Sequence, residues 1–140
     1  MSSEEIKNIG ITFFKSQDKI KGQPASELCT SDYKAHIAGN PPLDYEGHKQ
    51  FGIMFYTGFP DLAHNIKDVI TDGNKVVVRF TLTGTHTSNF MGIPPTNKSI
   101  NVSAIAILDV VDGKVKEVNG EFNQMSLMQQ LGLVPEQVNS

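Results

Sequence analysis

At 140 residues, with 39% hydrophobic and 19% charged, the chain has the composition of an ordinary folded protein and not of a disordered one. That length suits one domain, spanning residues 1–140, that buries about 65–70% of the surface its unfolded chain would expose. A formal charge of −3 and an isoelectric point near 5.7 leave no cationic field, so neither nucleic acid nor an anionic membrane surface is expected as a partner.

Ser2 and Ser3 precede Glu4 and Glu5, an N-cap followed by an acidic first turn, and Ile6, Ile9, Phe13, Gln17 and Ile20 then recur at helical spacing. This predicts an amphipathic helix that ends near Gly22 and Pro24. The same start is acidic and amphipathic, unlike a secretory signal, and no apolar run reaches membrane-spanning length, so a cytoplasmic location is expected. Pro24 to Leu28 reads as a short second helix, and Ser31 to Ile37 as an extended segment carrying Tyr33 and His36. Asn40-Pro41-Pro42 breaks the chain. Asp44 can cap a third helix that turns Phe51, Met54 and Phe55 inwards and closes at Gly58 and Pro60.

From Asp61 the period becomes alternating. Leu62–Thr71 and Lys75–Thr87 read as strands about a tight Asp72-Gly73-Asn74 turn. Ser99–Val111 and Lys114–Asn123 read as two more about Asp112-Gly113. Between the second and third of these lies a loop running from Gly84 to Lys98, stiffened by Gly92 and Pro94-Pro95. Gln124–Leu131 completes the chain as a short helix stopped by Gly132. Helices first and then a four-stranded meander is an α+β order, since no strand is followed by a crossover helix that would make its neighbour parallel.

Several chemistries lack their motifs. His36, His48, His64 and His86 have no paired ligand spacing, and the only cysteine, Cys29, stands alone, so no metal is expected. Cys29 has no neighbouring cation to activate it and reads as a small packed residue. No nucleophile elbow and no glycine-rich phosphate loop occurs.

The order of elements, with Tyr33-x-x-His36, Phe59-Pro60-Asp61, the run Asp72 to Phe80, Gly84-Thr85-His86-Thr87, Gly92-Ile93-Pro94-Pro95-Thr96 and Gln130-Leu131-Gly132, closely resembles the SnoaL-like polyketide cyclases, or ester cyclases. The resemblance implies the nuclear transport factor 2-like fold, a cystatin-like α+β barrel. In it a curved antiparallel sheet packs on the N-terminal helices as a cone around an apolar pocket. It also implies a homodimer and, for the characterised members, an intramolecular aldol condensation that closes a ring of an aromatic polyketide ester without metal or organic cofactor. For this chain the expectation is a small, largely apolar carbonyl compound in the pocket, with aldol-type cyclisation or isomerisation. The family's last strand commonly ends in an acid/base Asp a few residues after a Trp. Here Asn123 and Asn119 hold the matching positions, and an amide cannot take a proton near neutral pH.

Strict alternation sets Val115, Glu117, Asn119, Glu121 and Asn123 on one face of the last strand, either a solvated face or a lining of the pocket. In the second case Glu121 replaces the missing carboxylate as catalytic base. His86 shares a face with Phe80, Leu82 and Gly84. It is either a packed core histidine or a second acid/base at the pocket rim. By analogy with the family, Tyr33, His36, Phe55, Phe59, Phe90, Met91, Asn119 and Asn123 are expected to line the substrate site. Two other functions fit the same cone: a non-catalytic carrier or sensor of a hydrophobic metabolite, and an interaction domain that dimerises through its sheet. Ile105 and Ile107 alternate with Ala104, Ala106 and Leu108, so the third strand of the meander should be covered on both sides.

Overall fold

The computed structural model describes residues 1–22 and 24–135. Helix α1 (Ser3–Ile20) starts on a capping box: the Glu5 N–H donates to Ser2 Oγ and the Ser2 N–H to Glu5 Oε1, satisfying two donors that a helix end leaves open. The second short helix is only a 3₁₀ turn at Ser26–Leu28, and it leads directly into strand β1 (Cys29–Ile37), two residues longer than the predicted extended segment. Asp44 caps helix α2 (Tyr45–Gly58) by accepting from the Gly47 N–H at 2.8 Å. The four strands that follow are β2 (Ala63–Asp72), β3 (Lys75–Thr85), β4 (Ser99–Val111) and β5 (Lys114–Phe122), and helix α3 (Gln124–Gln130) follows them.

These strands form one curved five-stranded sheet in the order β1-β5-β4-β3-β2. Neighbours from β2 to β5 are antiparallel, as the two Asp-Gly turns require. At the second turn Asp112 and Gly113 both have positive φ, 49° and 78°, the conformation of a type I′ hairpin. The expectation of no parallel neighbours fails at the edge, where β1 pairs with β5 in parallel. Their connection contains α2 and strands β2 to β4, ample length for a return in the same direction.

Alternation is strict in β3 and β4, where Val76, Val78, Phe80 and Leu82 face the helices beside Val102, Ala104, Ala106 and Leu108. Helix α1 lies directly on this face: a Cβ at Gly10 would sit 2.6 Å from Val76 Cγ1. In β5 the alternation breaks. Val110 is paired with Val115 but Asp109 with Glu117, so Lys116 is an extra residue, a bulge that reverses the inward and outward positions beyond it. Val115, Val118 and Phe122 are therefore turned towards the core, whereas Asn119 and Glu121 stand opposite the exposed Ile107 and Ile105 on the outer face. No helix among the described residues is long and apolar enough to cross a membrane.

Candidate active site between the helices and the sheet

A half-enclosed cavity of about 90 Å³ remains between α1, α2 and the inner face of the sheet. Its apolar walls include Phe13 and Phe14 of α1, Phe51 and Phe55 of α2, and Phe80 and Phe122 of the sheet. Gln17, His48, Tyr56 and His64 bring polar atoms to it from the helices and the start of β2.

Alternation from the buried Leu62 turns His64 inwards, where it meets Asp18 in the last turn of α1. The carboxylate accepts three bonds there: from the Tyr56 hydroxyl at 2.5 Å and His64 Nδ1 at 2.7 Å, both on Oδ1, and from the His64 backbone N–H at 2.8 Å on Oδ2. Burial alone would raise the Asp18 pKa. The hydrogen bond and charge of His64, with the Tyr56 hydroxyl and the His64 amide, outweigh it and hold the carboxyl below its ordinary range. An ionised carboxylate only accepts, so His64 Nδ1 must carry the proton, and Nε2 is left as the ring's second nitrogen with no hydrogen-bond partner among the described residues.

His48 is arranged the opposite way. It lies in the first half of α2 one turn before Phe51, buried, with Nδ1 2.8 Å from the hydroxyl of the buried Tyr33. Burial drives the His48 pKa down to about 4, the charge of His64 acting in the same direction, so the ring is neutral at working pH. Burial also raises the Tyr33 pKa well above its ordinary value, which keeps its hydroxyl protonated. Tyr33 therefore donates to Nδ1, and the His48 proton sits on Nε2. Phe13 and Phe14 flank the two imidazoles, with ring centroids 6.5 Å from His48 and 5.5 Å from His64. Among the described residues, the only fully enclosed side-chain N or O atom without a partner is His86 Nε2. Both His48 and His64 border the cavity.

Of the residues singled out in the sequence, Phe55 lines the cavity, and Tyr33 stands behind it as the partner of His48. His86 is fully buried at the root of the loop and does not border the cavity. Its Nδ1 accepts from the Thr96 N–H at 3.2 Å and lies 3.0 Å from Thr96 Oγ1, and its ring stacks on Phe59 with centroids 5.3 Å apart. Phe59 and Phe90 pack with it as core, and Met91 is exposed at the loop tip. Asn123 caps α3 by accepting from the Ser126 N–H at 3.0 Å.

His36, Asn119 and Glu121 gather on the outer face around a half-open groove of about 400 Å³ that also includes Ile105 and Ile107. His36 Nε2 lies 2.6 Å from Glu117 Oε1 there. Glu121 borders the edge of the inner cavity as well, but it is exposed and paired across strands with Ile105. Among the described residues no three His, Cys, Asp or Glu side chains converge as metal ligands would.

Sequence reasoning missed Asp18, His48 and His64, although the signals were present. His48, Phe51 and Phe55 share one helical face, Asp18 follows Phe14 by four residues, and Leu62, His64 and Ile66 share one strand face.

Comparison with known proteins places the chain in a family. AclR, a proposed hydroxylase from Streptomyces galilaeus, superposes with a TM-score of 0.86 at 24% identity over 96% of this chain and 100% of its own. A proposed SnoaL-like polyketide cyclase from a Jannaschia species gives a TM-score of 0.81 at 22% identity, covering 96% of this chain and 98% of that one. A proposed polyketide cyclase from Bacillus cereus gives 0.78 at 29% identity, covering 96% and 87%. None of the curated proteins compared with the chain matches it. These names span two kinds of reaction on one fold, so the fold alone does not choose between them. The model of the SnoaL-like polyketide cyclases matches residues 11–131, and the chain belongs to that family.

Proposed function

We propose that this protein takes a small, largely apolar carbonyl compound into the cavity between the helices and the sheet and moves a proton on it, with its own side chains as acid and base. The observation that carries this reading is the Asp18–His64 pair. A carboxylate 2.7 Å from Nδ1 orients the imidazole of His64, which borders a largely apolar cavity. This supplies the proton acceptor that Asn123 cannot be. It also moves the acid/base role from Glu121 and His86 to His64, because Glu121 is exposed and His86 is enclosed elsewhere.

The test is α-proton exchange into a small β-keto ester in deuterated water, followed by NMR. His64→Gln and Asp18→Asn should each slow exchange by roughly 100-fold or more, while Glu121→Gln and His86→Asn should leave it within a few-fold of the parent in folded protein. A large loss in Glu121→Gln with none in His64→Gln would reverse the assignment. Tight binding with no exchange in any form would favour a carrier or sensor.

The outer face supports a second copy of the chain as partner. Ile105 and Ile107 are 45% and 41% exposed in the middle of β4, and the groove around them is rimmed by His36, Asn119 and Glu121, an apolar centre with a polar border. Light scattering should give about twice the 15.3 kDa of one chain, and Ile107→Glu should return the monomer. A parent protein that is already monomeric at micromolar concentration would overturn the dimer.

A further inference from the structure

The outer face of the sheet carries a charge pattern that the cavity does not use, and the inference drawn from it rests on the reading of that face as a contact between two copies. Strand pairing sets its outward side chains in rows across the sheet. Arg79 of β3, Ile105 of β4 and Glu121 of β5 form one row, and Val77, Ile107 and Asn119 form the next. Lys75, Asp109 and Glu117 form a third. Cations therefore stand on β3, the exposed isoleucines on β4, and Glu117 and Glu121 on β5.

Arg79 is turned away from Glu121 towards the sheet edge, where its Nε and Nη2 both meet Asp68 Oδ2, at 2.6 and 2.5 Å. Glu121 is left with no cation in ion-pair reach among the described residues. A twofold axis in the plane of contact, running along β4, keeps the rows and exchanges the two sides. It sets Arg79 against the partner's Glu121 and Lys75 against the partner's Glu117. Sheets packed face to face lie about 10 Å apart, a gap that an arginine and a glutamate span together. Ile105 and Ile107 then meet their own images, and Ile70, 62% exposed, lies over the partner's His36. Asp109 also meets its image, but each copy is already held by its own Lys75 at 2.5 Å. An axis laid across the strands at Ile105 would instead set both Arg79 and Glu121 against their own images, like charge against like.

We propose that two copies pack outer face to outer face about a twofold axis along β4, and that Arg79 and the partner's Glu121 form the ion pairs that select this register. The isoleucines supply apolar contact in either orientation, and the charged side chains flanking them decide between the two. Each dimer holds the pair twice. Ile105 and Glu121 belong to the two strands that also wall the cavity, so the contact braces that wall from outside.

The experiment uses the intact protein in low salt and reads the dimer Kd by sedimentation equilibrium, with circular dichroism confirming the fold of each form. Arg79→Glu sets carboxylate against carboxylate at both pairs and Glu121→Arg sets cation against cation, so each alone should weaken the dimer by roughly 100-fold or more. Mixed in equal amounts, the two variants should dimerise again, because one chain of each kind satisfies both pairs. Native mass spectrometry should find one chain of each in that dimer. Glu121 has no ion-pair partner in its own chain, so Glu121→Arg tests the pair even where Arg79→Glu, beside Asp68, loses its fold. Folded Glu121→Arg that dimerises like the parent, or a mixture of folded variants that stays monomeric, would overturn the register. If Ile107→Glu still dissociates the parent dimer, the outer-face contact stands without it. A parent dimer that Ile107→Glu leaves intact would overturn the contact and the register together.

Discussion

His48 ties the site to the stability of the whole chain. Burial depresses its pKa from the ordinary 6.5 to about 4, with the charge of His64 adding to the effect. The unfolded chain restores the ordinary value, so below pH 6.5 the unfolded state binds a proton that the folded state refuses. Stability from the neutral ring is therefore fully present above pH 6.5 and is lost as the pH falls through the window to about 4. Each pH unit inside that window removes ~1.4 kcal/mol, and the whole of it about 3 kcal/mol, a sizeable share of a typical domain's stability. Asp18 does not confuse the measurement. Its folded pKa lies below the ordinary 3.8, so its contribution is lost only at lower pH. His48→Gln removes the titration and keeps an oxygen that can accept from the Tyr33 hydroxyl. Urea unfolding of the parent and variant between about pH 7.5 and 4.5 should show the parent losing most of that free energy relative to the variant. Parallel curves for the two proteins would refute the claim that this imidazole is held neutral by burial.

Other outcomes follow from the packing. A methyl group at Gly52 would lie 1.9 Å from the Gly22 carbonyl oxygen, a backbone atom that cannot swing aside, so Gly52→Ala should cost about 1–3 kcal/mol and lower the melting temperature in differential scanning calorimetry. Tyr56→Phe deletes the 2.5 Å bond to Asp18, so it should cost about 1–2 kcal/mol in urea unfolding and let the Asp18 pKa rise towards its ordinary value in an NMR titration. Burial, with a smaller push from Glu27, raises the Cys29 thiol to about 12, so iodoacetamide at mildly alkaline pH should label it only when the chain unfolds.

The local elements were legible because their causes are local. The Ser2–Glu5 cap, the Ile6-to-Gln17 stripe, the Asp44 cap and the Asp-Gly turns lie within a few residues of what they control, and the family resemblance supplied the fold that joins them. The parallel pairing of β1 with β5 was not legible, since Ala35 and Val118 meet only after the whole meander has returned. One bulged residue, Lys116, decided the fate of the expected catalytic row. Periodicity carried unbroken from Val115 puts Glu121 on the face of Val115, and the extra residue puts it on the face of Ile105. The site itself was half readable. Helical and strand spacing set His48 and His64 on inward faces, but Asp18 and His64 are 46 residues apart and Tyr33 and His48 are 15 apart, and no local pattern announces either pair.

Two imidazoles with opposite Nδ1 states beside one cavity are the core of this account, and ring-nitrogen NMR of ¹⁵N-histidine-labelled protein at about pH 8 observes them directly. His64 should show a protonated Nδ1, held by Asp18, and His48 a bare Nδ1 and a protonated Nε2. A His64 with a bare Nδ1, or a His48 protonated on Nδ1, would contradict it.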